Sequence, residues 1–171
     1  YRVGTLDRLG LGFADVSPGH PGLVYCSISG FGRGSARSNL GAYDVVVQGF
    51  SGLMSVNGDP DGPPTKIGAP FGDTVAGLFA ALTATAELPR VRETGESVHV
   101  DCAMLDGLLA TSLLQTSEFW GSGQTPQRHG SAHPRNAPYQ VFQASDKPFT
   151  LEAGNDRLWQ RVCDIVGLDE L

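Results

Sequence analysis

The 171 residues carry a net charge of -6, with 12 Lys and Arg against 18 Asp and Glu, and the positive charges form no block. This balance argues against nucleic acid and against anionic membrane surfaces as partners. Hydrophobic residues make up 40% of the chain and charged residues 18%, a composition typical of a globular protein. No apolar run in the sequence reaches the length of a transmembrane helix, so we expect no membrane partner.

Three cysteines, Cys26, Cys102 and Cys163, lie far apart in the sequence. An odd and dispersed set is not typical of a disulfide framework or of a Cys-x-x-Cys metal site. We therefore expect buried free thiols in a reducing, cytoplasmic environment.

The first half of the chain alternates turn-rich and apolar stretches. Gly and Pro divide residues 1–22 into short helical turns, and the β-branched apolar run 23–29 predicts a buried strand followed by a loop. Residues 42–56 favour a helix, and the Gly- and Pro-rich stretch 57–72 predicts a long loop.

Residues from Thr74 onward have the apolar spacing of an amphipathic helix that ends near Pro89. A strand over 97–104 and a second long helix over 105–120 follow. The apolar face predicted for the first helix comprises Val75, Leu78, Phe79, Leu82 and Ala86.

The pattern of apolar residues changes in the last part of the chain. Apolar residues alternate on both sides of Ser145–Lys147, which predicts a β-hairpin, and Asn155 is suited to cap a final helix over 155–167.

Strands alternate with helices up to about residue 120, which indicates an α/β fold. We predict a large α/β domain over 1–120, a linker over 121–130 and the beginning of a smaller α+β domain over 131–171.

Few patterns indicate a resident cofactor or metal. The glycines of SGFGRG follow a strand, but they lack the third glycine of the GxGxxG spacing and no helix follows at once. His129 and His133 are four residues apart, but Gly130 and Pro134 deny them a shared helical face. We expect no metal site and no permanently bound cofactor.

Asp73, in the run KIGAPFGDTVAG over 66–77, has two interpretations. It is a helix cap, since Asp accepts hydrogen bonds from the first free N–H groups of a helix, or it is a nucleophile. The positive end of the helix dipole stabilises its charge, and the neighbouring Gly and Ala residues leave room for a substrate carbonyl. Attack on a thioester would give an acid anhydride, which needs shelter from water. Spacing alone leaves both interpretations open.

An ordered series of motifs resembles the class III CoA-transferases, the formyl-CoA/carnitine CoA-transferase family. The motifs are LDRLGLGF, LVYCSISGFG, YDVVVQGFSGLMSVNGDPDGPPTKIGAPFGD, VHVDCAMLDG and GSAHPRNAPYQVFQASDKPFTLEAGND. Members of this family are considerably longer, so we expect the chain to be an internal fragment. The resemblance implies a Rossmann-like large domain and an interlocked homodimer of the full-length protein.

The resemblance also implies site residues. The catalytic aspartate of the family falls on Asp73. The mobile active-site loop falls on 130–136, which reads GSAHPRN and lacks the family's glycine run. The implied contacts with CoA are Tyr1, Thr5, Arg8, Ala42, Tyr43 and Met104. The implied loop contacts with substrate are Gly130, Ser131, His133, Arg135 and Asn136.

The implied reaction moves CoA from an acyl-CoA thioester to a carboxylic acid through aspartyl anhydride and aspartyl-CoA thioester intermediates. Coenzyme A is then part of the substrate rather than a resident cofactor. The pattern YCSIS, SAHP and NAPYQVF resembles the dicarboxylate-using, succinyl-CoA-dependent branch more than the formyl/oxalate branch.

Two alternatives remain. One is an α-methylacyl-CoA racemase of the same fold, in which the resemblance places a catalytic His at the position of Tyr43. A phenol is a poorer base near neutral pH than an imidazole, which favours transfer over racemisation. The other alternative is a non-catalytic CoA-binding remnant.

Overall fold

A computed structural model describes residues 2–168 of the chain. The chain divides into two compact units. The first extends to Ser55 and resumes from Lys66 to Pro126, and the second comprises Val56–Thr65 and the chain from Gln127 onward. Within the described range, no helix combines the length and the apolar character needed to cross a membrane.

The first unit opens with short helical elements, as the sequence predicts. Helices α1 (Thr5–Arg8) and α2 (Phe13–Val16) precede a single 3₁₀ turn at Ser17–Gly19. Strand β1 (Val24–Ser29) follows and confirms the strand predicted for this run.

Two short helices occupy the stretch predicted as one helix over 42–56. These are α3 (Asp44–Phe50) and α4 (Leu53–Val56). Gly52 separates them with φ of +79°, a left-handed conformation that glycine adopts without steric cost.

Helix α5 (Phe71–Thr94) is the longest element and leads to strand β2 (Val98–Ala103). The expected end at Pro89 is wrong, because the helix continues for five residues beyond the proline. Val91 is only 3% exposed, and its burial anchors the last turn despite the hydrogen bond that proline removes. The helix ends at Thr94, and the N–H of the following Gly95 donates to the Val91 carbonyl at 2.9 Å.

The buried face of α5 differs from the predicted apolar face. Val75 is buried as predicted, but Leu78 and Leu82 are 66% and 65% exposed. Small residues at four-residue spacing, Gly72, Ala76 and Ala80, are buried instead. Small side chains let neighbouring elements approach the helix axis closely, a packing signal that hydrophobic periodicity does not detect.

β1 and β2 pair in parallel, with Val24 opposite Val98 and Ser29 opposite Ala103. Parallel strands need a long crossover connection, which α3 to α5 supply. Helix α5 packs against both strands. This β–helix–β arrangement confirms the predicted α/β fold class.

The helix predicted over 105–120 is interrupted once. It forms α6 (Met104–Thr111) and α7 (Leu113–Ser122) on either side of Ser112. The Ser112 hydroxyl donates to the Leu108 carbonyl at 2.8 Å, a local bond that competes with regular helix pairing.

The core of the first unit lies where α3, α5 and α6 meet the end of β1. Leu108 and Val47 have no exposed surface. The buried core cluster comprises Phe31, Val47, Ala76, Met104 and Leu108.

The second unit contains the predicted hairpin and the predicted last helix. Strands β3 (Tyr139–Gln143) and β4 (Pro148–Glu152) pair antiparallel. Helix α8 (Asp156–Val166) begins after Asn155, whose side-chain oxygen accepts from the Leu158 N–H at 3.0 Å. The predicted cap is therefore confirmed.

The three cysteines are free thiols but are not all buried. Cys163 is 1% exposed, Cys102 is half-buried and Cys26 is exposed. The expectation of burial is wrong for Cys26, because its side chain leaves the sheet on a face that the described residues leave open.

Candidate active site

A cleft of about 480 Å³ lies at the carboxyl end of β1 in the first unit. Asp73 lines this cleft together with three residues implied as CoA contacts, Ala42, Tyr43 and Met104. They come from three separate segments: the start of α3, the first turn of α5 and the start of α6. The carboxyl edge of parallel strands is where α/β proteins commonly bind ligands.

Gly30 lets these segments converge. A Cβ atom at Gly30 would collide with the Cβ of Ala42, so only glycine permits this approach. The Gly30 carbonyl accepts from the Leu105 N–H at 3.0 Å, which ties the start of α6 to the end of β1.

Asp73 is the third residue of α5, and its side chain is exposed. The interpretation of Asp73 as the helix cap is wrong, because Pro70 occupies the cap position and no side chain caps the helix from there. An exposed carboxylate in the first turn, beside an open cleft, is accessible to a ligand. The helix dipole favours negative charge at this position.

Asp44 bonds the start of α5 from outside the helix. Its Oδ1 atom accepts from the Gly72 N–H at 2.7 Å, and its Oδ2 atom accepts from the Gln48 Nε2 group at 2.7 Å. The Gln48 Oε1 atom accepts in turn from the Ile67 N–H at 2.8 Å. One chain of hydrogen bonds thus connects α3 with the loop before α5 and with its first turn.

Gly72 serves packing rather than clearance for a substrate, which corrects the expectation for this glycine. A Cβ atom there would lie 3.0 Å from Val47 Cγ2, 3.1 Å from Asp44 Oδ1 and 3.4 Å from Leu108 Cδ1. The absent side chain therefore allows α5 to start against α3 and α6.

Tyr43 and Arg2 supply further polar groups to the cleft. Tyr43 is 83% exposed, directly before α3. Arg2 also lines the cleft, and its guanidinium lies against Gly41, where a Cβ atom would be 3.3 Å from Nε. Sequence reasoning missed Arg2; a cation close to the Thr5–Arg8 segment implied in CoA binding was the available signal.

Thr5 and Arg8 lie together on α1, where Arg8 Nη2 donates to Thr5 Oγ1 at 3.2 Å. Among the described residues, neither belongs to the lining of the 480 Å³ cleft. Tyr1, the remaining implied CoA contact, lies outside the described residues.

A smaller cleft of about 170 Å³ lies along β1 and is lined by Arg2, Arg33 and Ser27, among others. Ser27 Oγ lies 2.8 Å from His99 Nε2. Burial, and next the positive charge of Arg33, lower the pKa of His99 below its ordinary value of 6.5.

The predicted active-site loop belongs to the second unit, whereas Asp73 belongs to the first. Within the loop, His133 Nδ1 accepts from the N–H groups of Arg135 and Asn136, both at 3.2 Å. Ser131 Oγ accepts from the Val141 N–H at 3.1 Å. Gly130 has φ of +59°, and its N–H donates to the carbonyl of residue 58 at 3.0 Å. Side-chain and backbone hydrogen bonds thus order the loop.

His129 and His133 form no part of a metal-binding group. Across residues 2–168, no three or more His, Cys, Asp or Glu side chains converge in a way that could hold a metal ion. The His133 ring instead stacks on Tyr139, with the ring centres 4.9 Å apart.

A parallel pair of strands with a helical crossover defines an α/β protein, and its cleft with a carboxylate lies at the edge where such folds commonly bind ligands. The chain belongs to CoA-transferase family III, whose family model matches residues 1–171. The family resemblance in the sequence is thereby confirmed.

The similar proteins include named CoA-transferases. The chain is 40% identical to the acetyl-CoA:oxalate CoA-transferase of Acetobacter aceti, over all of the chain and 44% of that protein. It is 37% identical to the succinate–glutarate CoA-transferase of Agrobacterium fabrum, over 98% of the chain and 42% of that protein. The chain thus spans less than half the length of these relatives.

A solved structure shares the fold. The CAIB/BAIF family protein from Brucella suis matches all of this chain with a TM-score of 0.86 and 35% sequence identity. The match covers 45% of that protein. This likeness supports the α/β fold class independently of the motifs.

Proposed function

We propose that the protein containing this chain is a CoA-transferase, which moves CoA from an acyl-CoA thioester to a carboxylic acid. The observation that carries the proposal is the position of Asp73. Its carboxylate lines one cleft with Ala42, Tyr43 and Met104, the positions to which the family resemblance assigns CoA contacts. Membership of the family supports the same reaction class.

The proposed chemistry uses the Asp73 carboxylate as a nucleophile. It attacks the carbonyl of the donor thioester, expels the CoA thiolate and forms a mixed anhydride. The thiolate attacks the aspartyl carbonyl of this anhydride, which releases the donor acid and leaves an aspartyl-CoA thioester. The acceptor carboxylate then attacks this thioester, and the thiolate released a second time attacks the acyl carbonyl of the new anhydride. The products are the acceptor acyl-CoA and the free Asp73 carboxylate.

Arg2 and Tyr43 are assigned to substrate binding. A guanidinium suits the phosphates of CoA or a second carboxylate, because it donates two parallel hydrogen bonds to such groups. The Tyr43 hydroxyl is assigned to the distal carboxylate of a dicarboxylic acid. Arg135 and Asn136 stay assigned to substrate by resemblance. Thr5 and Arg8 stay assigned to CoA by resemblance.

We assign dicarboxylic acids as acceptors and succinyl-CoA as a donor. The similar proteins are named for oxalate, succinate and glutarate, which all carry two carboxylates. The mouse relative is named succinyl-CoA:glutarate CoA-transferase and is 33% identical over the whole chain. The Acetobacter relative is named for acetyl-CoA, so both donors belong in the test.

The test is an acceptor panel with the full-length protein. Oxalate and glutarate are compared with acetate and butyrate, which lack the second carboxylate, using succinyl-CoA and acetyl-CoA as donors. We expect transfer to the dicarboxylates and a loss of at least about a thousandfold in kcat for Asp73→Asn. Undiminished activity of D73N would refute the role of Asp73. Exchange of the Cα hydrogen with deuterated solvent, in the absence of an acceptor, would indicate a racemase instead.

We further propose that the full-length protein is a homodimer. Large apolar side chains on α5 and α7 support this, since Leu78, Leu82 and Trp120 are 66%, 65% and 80% exposed. Sedimentation equilibrium of the full-length protein tests the proposal. A monomer at micromolar concentration would contradict it.

A further inference from the structure

We propose that Asp44 and Gln48 are positioning residues for Asp73, and that they hold the start of α5 at the distance that the transfer reaction needs. This inference rests on the proposed function. Neither residue lines the cleft, so they act through the backbone of the segment that carries Asp73.

Three hydrogen bonds support this role. The Asp44 carboxylate receives the Gly72 N–H at 2.7 Å through one oxygen and the Gln48 amide at 2.7 Å through the other. Gln48 receives the Ile67 N–H at 2.8 Å. Two of these bonds reach across 28 and 19 residues of sequence and fix tertiary placement. The third lies within α3, where it joins Gln48 to Asp44 four residues earlier and so connects the two long-range bonds.

The donor and the acceptor of each of these three hydrogen bonds are fixed. The Ile67 N–H and the Gly72 N–H are donors only, and an ionised Asp44 is an acceptor only. Gln48 therefore presents its oxygen to Ile67 and its NH₂ group to Asp44, the one amide orientation that pairs both neighbours. Gln48 has no exposed surface, so water does not replace a lost partner.

The placement of Asp73 depends on these three hydrogen bonds for two reasons. Gly72 directly precedes Asp73, and Pro70 at the cap position supplies no side-chain bond to the helix start. Ile67 lies at the other end of the short loop that enters α5. The two bonded N–H groups thus bracket the segment, and a displacement of about 1 Å at a reacting group costs about a hundredfold in rate.

Asp44→Asn tests the inference, because the variant keeps the shape of the side chain but puts a donor where Gln48 needs an acceptor. Its side-chain oxygen still accepts from the Gly72 N–H, but its NH₂ group faces the NH₂ group of Gln48. Gln48→Glu alone places two carboxylates at the 2.7 Å contact. The double variant D44N/Q48E pairs every group again, since the carboxylate introduced at position 48 accepts both from the amide introduced at position 44 and from the Ile67 N–H. Asp146→Asn, at the exposed hairpin turn, is the matched control.

The readout is the rate constant for trapping of acylated Asp73 by hydroxylamine in a single turnover of the full-length protein with succinyl-CoA. The rate constant, unlike the amplitude, does not depend on the fraction of protein that is folded. We expect D44N to lower the rate constant and kcat by about a hundredfold, with KM for the acyl-CoA within about twofold of the wild type. The double variant should return to within about tenfold of the wild type, and D146N should not differ from it.

The outcomes separate this inference from the proposed function. If wild-type Asp73 is trapped and D44N is trapped at the same rate, the positioning role is overturned and the CoA-transferase proposal stands. If Asp73 is not trapped in an active wild-type enzyme, the nucleophile assignment fails and the positioning role fails with it. A slow D44N that D44N/Q48E does not restore overturns the proposed hydrogen-bond chain.

A second variant tests the same inference if the D44N protein does not fold. Gln48→Met keeps the Asp44–Gly72 bond and removes both bonds of Gln48, to Asp44 and to Ile67. We expect a loss of about tenfold in the trapping rate constant. An unchanged rate constant overturns the role of Gln48.

Discussion

Gly72→Ala is expected to destabilise the protein, although alanine is the better helix former. Gly72 is the second residue of α5 and is buried. The added Cβ atom would meet Val47 Cγ2 at 3.0 Å, Asp44 Oδ1 at 3.1 Å and Leu108 Cδ1 at 3.4 Å. Carbon atoms in favourable contact lie about 3.5–4.0 Å apart, so at least two of these neighbours must move.

The neighbours of Gly72 have little freedom to move. Val47 and Leu108 have no exposed surface, and a β-branched valine in a helix is restricted to few rotamers. Overpacking of this kind costs about 1–3 kcal/mol, whereas the helix propensity of alanine returns at most about 1 kcal/mol. The net loss in the free energy of unfolding is therefore up to about 2 kcal/mol.

Gly77 is the matched control because it lies in the same helix. A Cβ atom at Gly77 would meet nothing within 4 Å, and the residue is exposed. Gly77→Ala should therefore stabilise the protein by about 0.5–1 kcal/mol through helix propensity alone. Urea denaturation of the two variants beside the wild type measures the difference. If G72A is as stable as G77A, the close packing of α5 against α3 and α6 is refuted.

Three further predictions concern the core, the half-buried His99 and the thiols. Leu108→Ala should lower the free energy of unfolding by about 3–4 kcal/mol, because Leu108 has no exposed surface. Leu109→Ala, at a 43% exposed position, should lower it by less than about 1 kcal/mol. Similar losses for the two variants in urea denaturation would contradict the described core. The pKa of His99 is lowered in the folded protein, so the unfolded chain takes up the proton first as the pH falls. The free energy of unfolding should therefore decrease as the pH drops below about 6.5. His99→Asn should flatten this pH dependence in denaturation measured at several pH values, and an unchanged slope would contradict the lowered pKa. Iodoacetamide should alkylate exposed Cys26 first, then Cys102, and buried Cys163 last. Burial, and next the neighbouring Cys26, raise the pKa of Cys102 and slow its reaction. Peptide mass spectrometry gives the order of labelling, and early labelling of Cys163 would refute the prediction.

Local sequence signals were sufficient for the strands and for most of the helices. β-branched runs predict β1 and β2 to within one residue at each end, and Asn155 marks the start of α8. They failed for the end of α5, where burial of Val91 outweighs the cost of Pro89. Tertiary packing, which no local pattern contains, decides such cases.

Apolar periodicity also misjudged most of the buried face of α5. Leu78 and Leu82 follow a helical spacing but are exposed, whereas the small residues Gly72, Ala76 and Ala80 are buried. Periodicity measures hydrophobicity, but close approach of helices depends on small side chains. The spacing of large apolar residues therefore does not identify the face that packs against the sheet.

The candidate site was predicted through Asp73 and three of its neighbours, because the family motifs carry them. The bonds from Asp44 to Gly72 and from Gln48 to Ile67 join residues 28 and 19 positions apart. No spacing rule connects residues at those distances, so only the folded arrangement identifies them. Arg2 was missed although its position close to the Thr5–Arg8 segment was a usable signal, and the structure places its guanidinium against Gly41.

The central claim is that the Asp73 carboxylate becomes acylated during CoA transfer. The most direct measurement is peptide mass spectrometry of the full-length protein after incubation with succinyl-CoA and hydroxylamine. Hydroxylamine converts an aspartyl anhydride or an aspartyl thioester into a stable hydroxamate, which marks the residue that carried the acyl bond. We predict a hydroxamate on Asp73 in the wild type and none in D73N. An unmodified Asp73 in a protein that transfers CoA under the same conditions would contradict the claim.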